Sequence, residues 1–335
     1  MAMMIVTPSI LLSNLRQCSL GRIGVRRQRL SSCFSSASSS SSDDLVLTNV
    51  DEDAGIAILT MNRPPANSLS LEMNKAILTS IKTIESNPKI QSTILASSNP
   101  TIFSAGLDVS ELVSPDMDRL PQFWNSLQQI YIDLYGSRLA TVAAIRGHAP
   151  AAGCFLAMAC DYRVMSAGWQ AGKKNHVPTI GLNETKLGIA APSWMGQLLV
   201  RTIGFRQAEL ALAMGTLFPP EEALAVGLVD NVVRMEDSES NDSRDALLEL
   251  LPSVIKDQAS DPVMQKAYAQ AKMYAKIPPQ ARVASKLVTR EEPIRDMIAS
   301  READTNHFCG FMTHEAVQYP LKAYVEALKK KSSKK

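Results

Sequence analysis

Short apolar runs of strand length, separated by stretches of helical periodicity, constrain this chain more than any other feature. Gln91–Ser97 (QSTILAS), Leu139–Arg146 and Tyr162–Met165 are each apolar on both of the faces a strand presents. Between them, Ser70 caps a helix running to about Ser86, with Met73, Ile77, Leu78, Ile81 and Ile84 on one face. Further helices are expected over Phe123–Tyr135 and, buried, over Cys154–Cys160. A strand buried on both faces with a helix on either side of it in sequence belongs to a parallel sheet covered by helices. The fold class is therefore α/β. Leu45–Val50 and Gly55–Met61, joined by the acidic turn Asp51–Gly55, add a strand pair at the start. Helices near Trp194–Ile203, Gln207–Met214 and Glu221–Val226 precede a strand over Leu228–Val233, and the last hundred residues turn helical.

Residues 1–42 stand apart. They hold no Asp, Glu or Lys, but contain Arg16, Arg22, Arg26, Arg27 and Arg29 and end in the run Ser38–Ser42. An Arg-rich, Ser-rich, acid-free start reads as an organelle transit peptide, and arginine interspersed with apolar residues favours mitochondria over plastids. The organisation expected is a removable leader at 1–42, a core domain over 43–240 and a helical region over 241–335. The whole chain carries a formal net charge of +2, too small to suggest a nucleic-acid binder. No apolar run approaches the ~20 residues that cross a bilayer. Cys154, Cys160 and Cys309 are not in CxxC spacing, and His307, Cys309 and His314 lack the paired spacing of a zinc site. No metal is expected.

Chemistry has three places to reside. Phe103–Asp108 (FSAGLD) follows a strand and a loop, and Arg146–Cys154 joins a strand to the buried helix. Small residues at strand ends let the backbone approach a ligand, and converging N–H groups would form an oxyanion hole; such residues are also ordinary turns. The third place is Gly181–Ile189 (GLNETKLGI), where Glu184 lies between apolar residues and glycines. That carboxylate is either an acid/base in an apolar site or a turn or cap residue. No GxGxxG, Walker or GxSxG pattern occurs.

Taken in order, MNRPPANSLS (61–70), FSAGLD (103–108), GCFLAMACDYRV (153–164), GLNETKLGI (181–189) and FPPEEALAVGLVDNVV (218–233) resemble the crotonase (enoyl-CoA hydratase/isomerase) superfamily across about residues 44–330. The resemblance implies a crotonase-type spiral of ββα units with a C-terminal helical region that supports a homotrimer. It implies an acyl-CoA substrate, with coenzyme A part of the substrate and no separate cofactor. It also implies roles: Ala105 and Ala152 as backbone donors of the oxyanion hole, residues 105–109 (Ala105, Gly106, Leu107, Asp108 and Val109) along the coenzyme A arm, and Glu184 as acid/base. Phe155, Leu156 and Trp194 are expected to wall the acyl chain or to pack the core.

The departures from the family pattern decide among its reactions. Hydratases carry a second glutamate where Phe155 stands, and dienoyl isomerases another acid where Ala191-Pro192-Ser193 stands. A single glutamate suits the transfer of one proton from C2 to C4, which turns a 3-enoyl-CoA into a 2-trans-enoyl-CoA in fatty-acid β-oxidation, in the mitochondrial matrix. Hydration, another acyl-CoA reaction, or an inactive relative that binds RNA or protein are the alternatives. The segment Gly168–Thr179 is longer than the family pattern, and either disturbs the site or bulges outward.

Overall fold

The computed structural model describes residues 44–171, 174–234, 237 and 241–332. All of them fall within one unit, Ser40–Lys335; the leader expected at 1–42 lies outside the described residues. The acidic turn joins β1 (Val46–Asp51) to β2 (Ile56–Met61) as an antiparallel pair. Helix α1 (Leu71–Ser86) starts on the Ser70 hydroxyl, which accepts the Met73 N–H at 3.3 Å, and buries every apolar position expected of it. β3 (Ser92–Ser97) lies parallel to β2. Helix α2 (Leu120–Ile130) begins three residues before the expected start and runs into a wider π turn, Tyr131–Tyr135.

β4 (Ala140–Ile145) lies parallel to β3, and a two-residue β5 (Ala149–Pro150) leads into α3 (Ala152–Ala159), which is buried along its whole length. β6 (Tyr162–Ser166) returns beside β4. The long segment then folds into an antiparallel hairpin of β7 (Trp169–Ala171) and β8 (Lys174–His176), and β8 is exposed: the insertion bulges outward. β9 (Ile180–Gly181) pairs in parallel with β5. Helices α4 (Ser193–Ile203), α5 (Phe205–Met214) and α6 (Pro220–Ala225) follow. The last strand, β10 (Asn231–Val233), is shorter than expected because Leu228 and Val229 turn back to donate to Ala223 O.

The sheet order is β1-β2-β3-β4-β6-β10, parallel except for the first pair. Its two faces bury separate cores. Ala57, Leu59, Met61, Ala143 and Ile145 meet α1, α2 and α3, whereas Ile56, Ile58, Val142 and Ala144 meet Val263, Met264, Ala267 and Ala271. This double burial is why the strands read as unbroken apolar runs. The C-terminal helices are α7 (Asn241–Leu250), α8 (Pro262–Ala275), α9 (Pro279–Met312) and α10 (Glu315–Ser332). Helix α8 covers the second face, and α9 returns along α2, with the Arg301 guanidinium donating to Asn125 O at 2.7 Å. Among the described residues, no helix is long and apolar enough to cross a membrane.

Candidate active site

Two strand-end segments lie back to back. Phe103 N–H donates to His148 O at 2.9 Å and His148 N–H to Thr101 O at 3.0 Å. Only glycine fits at 153, since a Cβ there would stand 2.3 Å from Ser104 O. The buried Asn67 amide ties the first segment down by donating to Ser97 Oγ at 2.7 Å and Phe103 O at 3.2 Å.

The peptide directions along the first segment overturn one expectation. Ala105 N–H donates to Ala66 O at 3.0 Å, so that amide is occupied and does not face a ligand. Gly106 then turns the chain with φ +87°, a conformation that costs glycine little. Leu107 pairs with Leu69 as a parallel bridge in which Leu69 is bonded to residues 106 and 108. In that arrangement the N–H of Leu107 itself points to the other side, and it meets no acceptor among the described residues.

The second donor is held by a different device. Ala151 N–H donates to Gly181 O at 2.8 Å. Its backbone sits at φ +51°, ψ −125°, where residues with a side chain are strained. That turn makes Ala152 the first residue of α3, whose N–H has no partner within the helix. A Cβ on Gly106 would stand 3.2 Å from Ala152 N, so the two open amides, Leu107 and Ala152, border the same space.

Glu184 arrives through the β5–β9 pairing. Gly181 is registered to Pro150, and three residues later Glu184 opens a short 3₁₀ turn, Glu184–Leu187, closed by the left-handed Gly188. Its side chain is buried, and Oε2 has no hydrogen-bond partner among the described residues. Burial pushes the carboxyl up from its ordinary 4.5 to about 7, opposed by a hydrogen bond from its own backbone N–H. The Cys154 thiol, on the first turn of α3, is raised by burial and then by the Glu184 charge.

Leu107, Ala152 and Glu184 line one cavity of about 230 Å³, whose other walls include Trp124, Phe308 and Met312. The cavity's other carboxylate, on Asp304, is already engaged: Oδ2 accepts Trp124 Nε1–H and Gln128 Nε2–H, each at 2.7 Å. Ala191, Pro192 and Ser193 also line the cavity and supply no acid. Larger cavities of about 510 Å³ and 350 Å³ lie around Asp161 and beside the hairpin, and neither includes Glu184.

Other expected site residues support the walls rather than face the space. Asp108 pairs with Arg63 at 2.6 Å and caps Ser110 N–H, and Val109 starts the next turn. Phe155 and Leu156 are wholly buried and do not line the cavity. Instead Phe155 packs edge-on against Trp194, ring centres 5.1 Å apart, and Trp194 against Trp124 at 6.0 Å. The apolar wall comes from α2 and α9 instead, through Trp124, Phe308, Phe311 and Met312. The signal for it is the apolar i, i+3, i+4 set at 308, 311 and 312, at the end of an otherwise polar helix.

Comparison with known proteins places the chain in a family. The family model described as enoyl-CoA hydratase/isomerase matches residues 51–256. The rat protein named enoyl-CoA delta isomerase 1, mitochondrial, is 38% identical over 290 residues, covering 87% of this chain and 89% of its own. Its human namesake is 36% identical over 284 residues, covering 85% and 83%. The crystal structure of human mitochondrial delta3-delta2-enoyl-CoA isomerase superposes with a TM-score of 0.73 at 35% identity, covering 86% of this chain and 99% of that one. With an α/β sheet of this order, a C-terminal helical region and relatives matched over most of their length, the chain belongs to the enoyl-CoA hydratase/isomerase family.

Proposed function

We propose that this protein is a Δ3,Δ2-enoyl-CoA isomerase of fatty-acid β-oxidation. The observation that carries the proposal is one buried carboxylate, Glu184, whose Oε2 has no partner among the described residues, in a cavity bordered by two open backbone amides. The thioester oxygen of a 3-enoyl-CoA accepts hydrogen bonds from Leu107 N–H and Ala152 N–H, with Leu107 taking the place first given to Ala105. Glu184 removes a proton from C2, and the electron pair moves into the thioester to form a dienolate whose charge rests on that oxygen. Glu184 returns the same proton at C4, leaving the double bond between C2 and C3. A carboxyl near 7 both accepts and donates at neutral pH.

Hydration would need a second free carboxylate to hold water. The other one lining the cavity, on Asp304, is taken up by Trp124 and Gln128. Coenzyme A enters as part of the substrate, and no separate cofactor is required. A homotrimer, implied by the family resemblance, and residence in the mitochondrial matrix belong to the same proposal. The names of the rat and human relatives and the acid-free, arginine-rich residues 1–42 support the location.

The test is conversion of 3-hexenoyl-CoA to the 2-enoyl product. Glu184→Gln keeps the shape and removes the base, so kcat is expected to fall by on the order of 10²–10⁴. Near-normal turnover by that variant would sink the mechanism, and hydration of 2-hexenoyl-CoA by the wild type as fast as isomerisation would make the protein a hydratase.

A further inference from the structure

We infer that His148 is a positioning residue, one that ties the segment carrying Glu184 to the two segments carrying the open amides. This rests on the isomerase reading in taking Glu184, Leu107 and Ala152 as the working groups. The main chain of His148 makes the first tie: it exchanges hydrogen bonds with Thr101 and Phe103, at the strand end that leads on to Leu107. Along its own chain, His148 stands in the turn that leads into Ala152 and α3. The imidazole makes the last tie, since Nδ1 accepts the Thr179 N–H at 3.1 Å. Thr179 immediately precedes β9, the strand that delivers Glu184.

The imidazole supplies what the main chain does not. Thr179 O accepts the Ala149 N–H at 2.8 Å, Ile180 exchanges bonds with Phe218, and Gly181 O accepts the Ala151 N–H. All of these run between main chains, whereas the Thr179 N–H is received by a side chain. Without the ring, that half-buried amide loses its acceptor at the point where the outward-bulging hairpin ends and β9 begins. The ring is held from the hairpin side as well. Trp169 meets it at 82°, ring centres 6.0 Å apart, and Trp169 stacks on His176 at 5.4 Å.

This tie requires one form of the ring. A backbone N–H only donates, so Nδ1 keeps its lone pair and the ring proton resides on Nε2. Burial, and then the nearby His176, hold the imidazole below its ordinary 6.5 and so favour the neutral form. His148 does not line the cavity of Glu184. Its effect on the reaction is therefore on where the base stands relative to the amides, and not on contact with substrate.

The experiment compares two substitutions of similar size in the full protein. His148→Leu has no acceptor, and is expected to lower kcat for 3-hexenoyl-CoA by at least about tenfold, since a small displacement of a base is costly. Affinity for unreactive hexanoyl-CoA, read by calorimetry, is expected to change by less than about threefold. His148→Asn places Oδ1 where Nδ1 stood, and is expected to keep kcat within about threefold of the wild type. A folded leucine variant with wild-type turnover overturns the tie, as do leucine and asparagine variants that lose turnover alike. Should the leucine variant not fold, nitrogen-15 NMR of the wild-type imidazole decides at about pH 8, with a proton on Nε2 expected and a proton on Nδ1 overturning the tie. Wild-type protein that binds hexanoyl-CoA but leaves 3-hexenoyl-CoA unchanged refutes the isomerase reading instead, and the position of the ring proton still decides the tie.

Discussion

In the proposed mechanism, Glu184 links catalysis and stability through one proton. Burial lifts its carboxyl from 4.5 to about 7, so between those values the folded chain keeps a proton that the unfolded chain has lost. The stability from this group is thus fully present below about 4.5 and is lost as the pH rises through about 7. At pH 8, Glu184→Gln removes the ionised group and is expected to stabilise the fold by up to about 3 kcal/mol, with the difference vanishing near pH 4. Urea unfolding at the two pH values measures it. Since the base must be ionised, kcat/KM is expected to fall tenfold per pH unit below about 7. A flat profile between pH 5 and 8 would contradict this. Ala151 carries the opposite kind of cost, at φ +51° and ψ −125°. Ala151→Gly releases that strain and gives back part of it in unfolded-chain entropy, so a net gain of about 1 kcal/mol is expected in thermal unfolding. The residue scale also shows where side-chain pattern stops being informative. That Glu184 and Ala152 meet at one cavity was legible through the family pattern. The first donor was not, because which of Ala105 or Leu107 turns its N–H to the cavity depends on peptide direction, which no side chain reports.

At the scale of elements, the strands and α1 were legible because each carries its own signal: apolar residues on both faces, or an apolar stripe behind a serine cap. The start of α2 was not, since Arg119 makes no side-chain capping bond there. The hairpin of β7 and β8 was hidden because three-residue strands leave almost no periodicity. Helix α3 shows how an element's environment overrules a local expectation. Phe155 stands where hydratases carry their second glutamate, yet its ring is enclosed by Tyr131 and Trp194 and does not reach the cavity. Phe155→Glu would bury an acid without a partner among aromatic rings. It is expected to cost about 3–5 kcal/mol and to confer no hydration of 2-enoyl-CoA. Soluble yield, melting temperature and a hydratase assay check both parts, and a folded variant that hydrates would contradict the position of this ring.

At the scale of the whole molecule, the leader and the C-terminal helices are the two segments whose loss the chain is expected to feel differently. Residues 1–42 precede the first strand of the sheet, so their removal deletes none of the described elements. N-terminal sequencing of the protein from its native source is expected to begin within about residues 30–45, in keeping with a cleaved leader; a chain that still begins at Met1 would refute processing. The other end has a different status. Helix α9 is gripped along its first half by ion pairs from Lys286 and Arg290 to Asp161, and along its second half it forms the wall over the carboxylate. The burial that raises the Glu184 carboxyl therefore depends on a helix far downstream in sequence. Were that helix lost, water would enter, the Glu184 carboxyl would settle toward an ordinary glutamate, and a chain with its sheet and both amides in place would be left holding an acid too weakly basic for the proton it has to carry.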